Sequence, residues 1–236
     1  MSASLAVAPR HACAASFSLQ EARSPAPWST QTPPEEQDDP GLNGVVMHFT
    51  PDQQIYGEGD ESRYFYKVIS GVVRTCRFPS DGRRQIDSFL VAGDIFGFEA
   101  GADHPLAAEA VSQCSVIAYR RRGLETTITQ DHRLGRWFFS HAMTSLSRAR
   151  EHALLLGRSS AAQKIAAFLL EIDRQEGSRS QVDLPMSRQD IADYLGLTIE
   201  TVSRTLSQLE RNGTIALSSA RRVMLQDRRA LRALNS

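Results

Sequence analysis

The sequence predicts an α+β chain: a small antiparallel β-roll of the jelly-roll kind, then a long helix, then a C-terminal group of short helices closed by a hairpin. Three observations carry this. Between residues 45 and 119, short β-branched and aromatic runs alternate with glycine-containing turns. From His132 to Leu156 the apolar residues keep helical spacing. From Ser187 to Glu210 a capping residue, a glycine stop and a second capping residue mark two short helices in succession.

Composition sets the outer bounds. The 236 residues are 41% hydrophobic and 23% charged, ordinary for a globular chain with room for one large or two small cores. No apolar run approaches the ~20 residues of a membrane span. The first residues, MSASLAVAPRHACAASFSL, lack a basic stretch ahead of a short apolar run broken by Pro9, Arg10 and His11. They are expected to be a disordered start rather than a leader, which leaves the chain in the cytoplasm with no membrane partner. Residues 1–44 as a whole, rich in Pro, Ser, Ala, Gln and acid, are expected to be a disordered tail. Trp28 either docks on the folded part or stays solvated.

Net charge is zero but unevenly placed. Residues 1–45 carry 2 basic and 5 acidic side chains, residues 46–157 carry 13 of each, and residues 158–236 carry 12 and 9. The mildly basic C-terminal part has the sign expected of a surface that meets phosphate. Of the 27 basic residues only Lys67 and Lys164 are lysine. Cys13, Cys76 and Cys114 are far apart, with neither zinc nor disulfide spacing, so no metal is expected. His11 and Cys13 have ligand-like spacing but fall in the tail. Cys76 and Cys114 fit as small core residues.

The expected strands are Val45–Phe49, Tyr64–Ile69, Val72–Phe78, Gln85–Leu90 and Ser115–Tyr119, with Ser80-Asp81-Gly82 as a hairpin turn. They make residues 45–122 the β-roll. Residues 123–157 follow as a short helix, about 123–130, and a long one over His132–Leu156. In the long helix Phe139, Ala142, Leu146, Ala149, Ala153 and Leu156 are spaced 3-4-3-4-3, a heptad seam. Leu134, Trp137 and Phe138 begin a second apolar stripe. One stripe can pack on the roll while the seam meets a twin helix, making this a dimerisation helix; the other reading is a helix buried wholly in its own core. His132, His141 and His152 lie on it as surface or interface residues.

Residues 158–236 form the last unit. A hinge at Gly157–Ser160 leads to a helix over 161–175, with Ile165, Phe168, Leu169 and Ile172 on one face. Gly177–Ser180 is a loop. Ser187 caps the next helix, with Asp190 placed for a capping box. Ile191, Ala192 and Leu195 are its inner face, and Gly196 stops it in a left-handed turn. Thr198 caps the helix from Ile199 to Arg211, whose inner face is Val202, Leu206 and Leu209. Beyond Gly213, residues 214–218 and 222–226 form a hairpin, so the unit is a winged helix-turn-helix. The outward face is Ile199, Glu200, Ser203, Arg204 and Ser207. Its first two turns are the part that meets base edges in a major groove. Arginine can donate twice to guanine, glutamate can accept from cytosine N4, and serine can bond a base or a phosphate. Glu200, Ser203 and Arg204 are therefore the base-contact candidates. Ser187, Arg188, Thr198, Ile199, Thr201, Ser207, Arg221 and Arg222 are candidates for phosphate or flanking contacts. Glu200 and Arg204 could instead form a surface i,i+4 ion pair, which would also orient Arg204.

The run LGLTIETVSRTLSQLERNG resembles the recognition motif of the Crp–Fnr superfamily of transcription regulators, and Glu200–Arg204 (ETVSR) is similar to its Fnr and FixK branch. FLVAGDIFG, Phe89–Gly97, resembles the glycine turn of the family's β-roll, a cyclic-nucleotide-binding-domain-like jelly roll, and 132–156 sits where the dimerisation helix lies. The resemblance covers about residues 45–236. It implies a homodimer on double-stranded DNA, reading TTGA half-sites in a palindrome.

The family's effector chemistries do not fit these residues. A cyclic-nucleotide pocket would want Glu just after the glycine turn and an Arg-Ser or Arg-Thr pair further on. Phe98 follows Gly97 instead, and ADHPLAAEAVSQC holds no Arg to meet a phosphate. Glu99, one residue displaced, is expected to be a surface group. The iron–sulfur centre of Fnr needs clustered cysteines, which this chain lacks. No cofactor is expected, and the resemblance narrows to a FixK-type activator of low-oxygen and nitrogen-fixation genes. The alternative is a ligand-gated relative with another effector. An enzyme on the barrel finds no support, since the histidines form no ligand pair and no nucleophile or phosphate loop is present. An activator must also touch RNA polymerase; in Fnr-type proteins one contacting loop sits at the position of Ser80–Gln85, here basic at Arg83 and Arg84.

Overall fold

The computed structural model describes residues 42–79, 82–99, 101–122, 124–175 and 181–234. The tail, with His11, Cys13 and Trp28, the turn residues Ser80 and Asp81, and the loop 177–180 lie outside these residues.

Eight strands build the roll: β1 (Gly44–Phe49), β2 (Gln54–Tyr56), β3 (Tyr64–Ser70), β4 (Val73–Arg77), β5 (Gln85–Leu90), β6 (Ile95–Phe96), β7 (Ala107–Ala110) and β8 (Cys114–Arg120). They pair antiparallel in two sheets, β1-β8-β3-β6 and β2-β7-β4-β5. Between the sheets lie Val68, Val73, Ala108, Ala110 and Val116, all essentially without exposure. Gly71, at φ +80°, turns β3 into β4; a Cβ there would stand 2.3 Å from the Gln113 carbonyl oxygen, so only glycine fits. Cys76 and Cys114 are buried free thiols, each with its pKa pushed up by burial to about 11.

After α1 (Leu124–Gln130), the helix α2 (His132–Leu156) opens on Asp131, whose carboxylate accepts from the Arg133 and Leu134 amides. Its two stripes part as their spacing suggests. Leu134 and Phe138 are buried against Phe65 and Tyr119 of the roll. Phe65, with no exposure, stacks on Tyr119 at 5.1 Å and meets Phe138 edge-on at 5.3 Å. The seam faces outward: Phe139 is 68% and Leu146 42% exposed, and Ala142, Ala149 and Ala153 are exposed too. Leu156 is half-buried beside Gly196. His152 departs from expectation. It is buried, its ring flat on Tyr194 at 4.0 Å and its Nε2 2.9 Å from the Tyr194 carbonyl oxygen.

The last unit comprises α3 (Ala161–Gln175), β9 (Gln181–Asp183), α4 (Arg188–Leu195), α5 (Ile199–Arg211), β10 (Ile215–Ser219), β11 (Arg222–Leu225) and α6 (Arg228–Leu234). Its core joins Ile165, Leu169 and Ile172 of α3 to Ile191 and Leu195 of α4 and to Val202 and Leu206 of α5, all nearly fully buried. The wing is a three-stranded sheet, β10-β11-β9, and Leu231 of α6 closes the far side.

Replacing Phe65 by alanine empties the joint between α2 and the roll. The expected loss is about 3–5 kcal/mol of stability. Urea unfolding of the two proteins measures it, and a loss below about 1 kcal/mol would mean the joint relaxes around the gap.

Candidate nucleic-acid interface

The recognition element is built from two caps and a glycine. Ser187 Oγ accepts from the Asp190 amide at 3.0 Å, and Asp190 Oδ2 accepts from the Ser187 amide at 2.9 Å, a complete capping box. The Ser187 hydroxyl also donates to Asp190 Oδ2, so it is already engaged within the helix start. Gly196 ends α4 at φ 62°, with its amide bonded back to the Ala192 carbonyl. Thr198 then starts α5, its Oγ1 accepting from the Thr201 amide at 3.2 Å. The stop at Gly196 and the cap at Thr198 lie two residues apart in sequence, so α5 is aimed by short local bonding.

Val202, Thr205, Leu206 and Leu209 anchor α5 inward. Glu200, Ser203 and Arg204 are exposed on the opposite face, with Ile199 at 37% exposure ahead of them, and Thr201 and Ser207 half-buried at its margin. The Glu200 carboxyl is held below its ordinary pKa, first by its own backbone N–H at the helix start and then by the Thr198 hydroxyl. Arg204 is not among the causes, so the alternative i,i+4 pairing is not what fixes Glu200. A carboxylate held at the helix N-terminus stays ionised and acceptor-only, the form that takes a hydrogen bond from a cytosine amine.

The flanking candidates divide. Arg188, half-buried at the start of α4, has its Nη1 enclosed without a hydrogen-bond partner, and burial pushes its pKa down. Arg221 is exposed at the wing tip. Arg222 donates to Asp183 of β9 at 2.9 Å, so its guanidinium braces the wing.

Three residues are placed otherwise than the sequence suggests. Arg84, read as part of an outward hairpin, folds onto α4, with Nε 2.8 Å from Asp193 Oδ2 and Nη2 2.5 Å from Asp190 Oδ1. Glu99 is no mere surface group; its Oε2 lies 3.0 Å from Nδ1 of His104, which is 2% exposed. Arg74, passed over in the sequence, is buried with Glu109, Asp52 and Asp190 around it. No motif marks these pairings, because their partners lie up to 116 positions away. For Arg74 the trace in sequence is an arginine set between Val73 and Cys76, neighbours that read as core.

Residues 163–234 match the Crp-like helix-turn-helix domain family, and residues 46–131 match the cyclic nucleotide-binding domain family. The chain is 47% identical to the nitrogen fixation regulation protein FixK of Azorhizobium caulinodans, over 82% of this chain and 80% of that one. The chain belongs to the Crp–Fnr family. It is 43% identical to the nitrogen fixation regulation protein FixK of Rhizobium meliloti, over 80% and 87% of the two chains. The solved structure of FixK2 from Bradyrhizobium japonicum superposes with a TM-score of 0.77 at 44% identity, covering 83% of this chain and 98% of that one. It is a DNA-binding transcription regulator of the Crp–Fnr type and not an enzyme. No helix among the described residues is long and apolar enough to cross a membrane.

Gly196→Ala tests the corner. A Cβ there would meet only Leu156 Cδ2 at 3.7 Å, an ordinary contact, so the cost is that of the left-handed backbone. It is expected to be about 1–2 kcal/mol, read as a lowered thermal midpoint. An unchanged midpoint would show that the corner does not need its left-handed residue.

Proposed function

We propose that the protein binds a TTGA-N6-TCAA-like palindrome as a homodimer, with no small-molecule effector, and activates genes of low-oxygen respiration and nitrogen fixation. The observation that carries this reading is the exposed row Glu200, Ser203 and Arg204 on helix α5, capped by Thr198. In this reading Arg204 meets guanine, Glu200 accepts from a cytosine amine, Ser203 adds a further base contact, and the exposed Ile199 side chain suits a thymine methyl. Ser187, Arg188, Thr198, Thr201, Ser207, Arg221 and Arg222 flank them toward phosphate, with Ser187 and Arg222 the least available.

The palindrome is supported by geometry. TTGA-N6-TCAA places half-site centres ten base pairs apart, about one helical turn, the separation that suits two symmetry-related recognition helices. The exposed seam supports the dimer. Phe139, Ala142, Leu146, Ala149 and Ala153 stand clear of the chain's own core, as a surface kept for a twin helix must. The family matches at 46–131 and 163–234 favour dividing the chain into a tail (1–44), roll (45–122), dimerisation segment (123–157) and DNA-binding unit (158–236).

Effector independence is supported by the roll's interior. Tyr56 stacks on His104 at 3.7 Å, on Tyr66 at 5.5 Å and on Phe96 at 6.1 Å, so aromatic rings fill space between the sheets. No Arg or Lys occurs between Arg84 and Arg120 to meet a phosphate. The second reading, a ligand-gated regulator, draws on a cleft of about 570 Å³ between the roll, α2 and α3, lined by Phe89, Arg148, Leu155 and Phe168. Contact with RNA polymerase is part of the activator reading, although Arg84 of the 80–85 segment is folded inward onto α4.

Purified protein, in air and without additive, is expected to shift a TTGA-N6-TCAA duplex. A shift only in the presence of an added small molecule decides for the ligand-gated reading. Arg204→Ala is expected to cost about 1–3 kcal/mol and to relax discrimination at one base pair. Uniform weakening on every sequence would make Arg204 a phosphate contact. Leu146→Glu sets like charges against each other in the seam, and light scattering is expected to return the monomer mass; a persisting dimer mass would refute the seam.

A further inference from the structure

The two halves of the chain are joined by a polar cluster that the DNA-binding reading leaves unexplained. Arg74 projects from β4 with its side chain 6% exposed. Its Nε donates to Glu109 at 2.8 Å, its Nη2 to Asp52 at 3.0 Å and its Nη1 to Asp190 at 3.2 Å. Arg84, one residue before β5, reaches the same Asp190 and also Asp193. Both aspartates belong to α4, the helix that sets the corner from which α5 leaves. Phe89 of β5 packs on Tyr194 of α4 at 5.2 Å, and His152 of α2 stacks on the same ring at 4.0 Å with its Nε2 2.9 Å from the Tyr194 carbonyl oxygen.

A single surface salt bridge fixes little. Here two guanidiniums, whose fork geometry defines direction as well as distance, grip one turn of α4 at Asp190 and Asp193. Asp190 serves both jobs at once: its Oδ2 caps α4 and its Oδ1 accepts from Arg74 and Arg84. A rotation of the helix-turn-helix unit against the roll would have to break these bonds with the carboxylates already 5% and 11% exposed, leaving charge unpaired in a dry joint.

We propose that Arg74 and Arg84 are positioning residues that clamp the helix-turn-helix unit to the roll and thereby set the spacing between the two half-sites the dimer accepts. The inference rests on the dimeric DNA-binding reading and supplies its missing part, the element that holds the recognition helix at a fixed angle without a ligand. Neither arginine touches DNA. Their action is on geometry: half-sites moved by one base pair are rotated by about 35° and shifted by about 3.4 Å relative to one another, and only a rigid joint discriminates against that.

The test is selection from a random DNA pool by wild type, Arg84→Ala and Asp193→Asn, followed by affinity for a single half-site. Arg84 lies just ahead of β5 and Asp193 on the side of α4 that meets it, so Arg84→Ala removes the donor and Asp193→Asn the negative charge of one contact; circular dichroism and the unfolding midpoint check that both fold. Wild type is expected to select one spacer length, preferred by about tenfold or more over its neighbours. Both variants are expected to spread over neighbouring spacers, with the preference falling to about twofold while half-site affinity stays within about twofold of wild type. A defect that is merely structural would lower half-site and palindrome binding together and leave the spacer preference sharp. Sharp selection by both variants overturns the clamp, as does wild type selecting no palindrome. Selection by wild type of a different half-site at one spacing, broadened in the variants, overturns the TTGA reading and upholds the clamp.

Discussion

Asp190 is the residue on which the two halves of the molecule agree. One of its oxygens completes the capping box that starts α4, and the other accepts hydrogen bonds from Arg74 of β4 and from Arg84, just ahead of β5. A helix start leaves backbone donors unsatisfied, and a carboxylate there is favoured by the helix dipole. The same carboxylate, 3% exposed as a residue, would be costly if it stood alone. Arg74 and Arg84 meet that need, and in meeting it they tie the helix-turn-helix unit to a particular place on the roll.

The cluster around it is buried charge made tolerable by saturation. Removing charged groups from water costs several kcal/mol per ion, recovered only with good geometry and further hydrogen bonds. Burial disfavours the Arg74 cation, yet its pKa is raised, because Glu109, Asp190 and Asp52 outweigh the desolvation. Replacing the whole set with apolar side chains could hold the halves together as strongly. It would not define their angle as well, since apolar contact is non-directional. The apolar part of the joint, Phe89 on Tyr194 and His152 flat against the same ring, supplies attraction; the arginines supply orientation.

What was legible in the sequence was local. The helices α2 and α3 and the strand β5 carry strong periodicity or propensity over their whole lengths and lie where that pattern places them. The caps Ser187 and Thr198 and the stop at Gly196 were readable because capping chemistry needs only three or four neighbouring residues. The strands β2, β6, β7 and β9 were not, being two to four residues long and, in Ala107–Ala110, made of residues with little strand preference. Helix α6 follows the wing behind a cap that the sequence reading passed over, Asp227, whose Oδ1 accepts from the Ala230 amide, and it is held by Leu231 in the core and by Arg228 on Asp173. Arg84 and His152 were misjudged for one reason: each is polar and reads as surface, and the partner that buries it comes from a distant part of the chain. Glu99 was misjudged although its partner, the buried His104, is only five residues away, because no motif marks that pairing. The face of α5 was fully legible, because an amphipathic helix with buried Val202, Leu206 and Leu209 leaves its opposite side determined.

The seam on α2 carries a consequence of its own. Three of its six residues are alanine, which offer little apolar area to a twin helix, while Phe139 and Leu146 supply most of what there is. The proposed dimer, held by so lean a stripe, is expected to separate on dilution. Below the concentration at which the chains pair, the amount of DNA-competent dimer rises as the square of the amount of chain. A cell that doubles its supply of the polypeptide then quadruples the occupancy of a weakly filled promoter. On the proposed dimer, the helix surface would turn a modest change in synthesis or turnover into a steep change in output, a steepness that asks for no chemical signal at the roll.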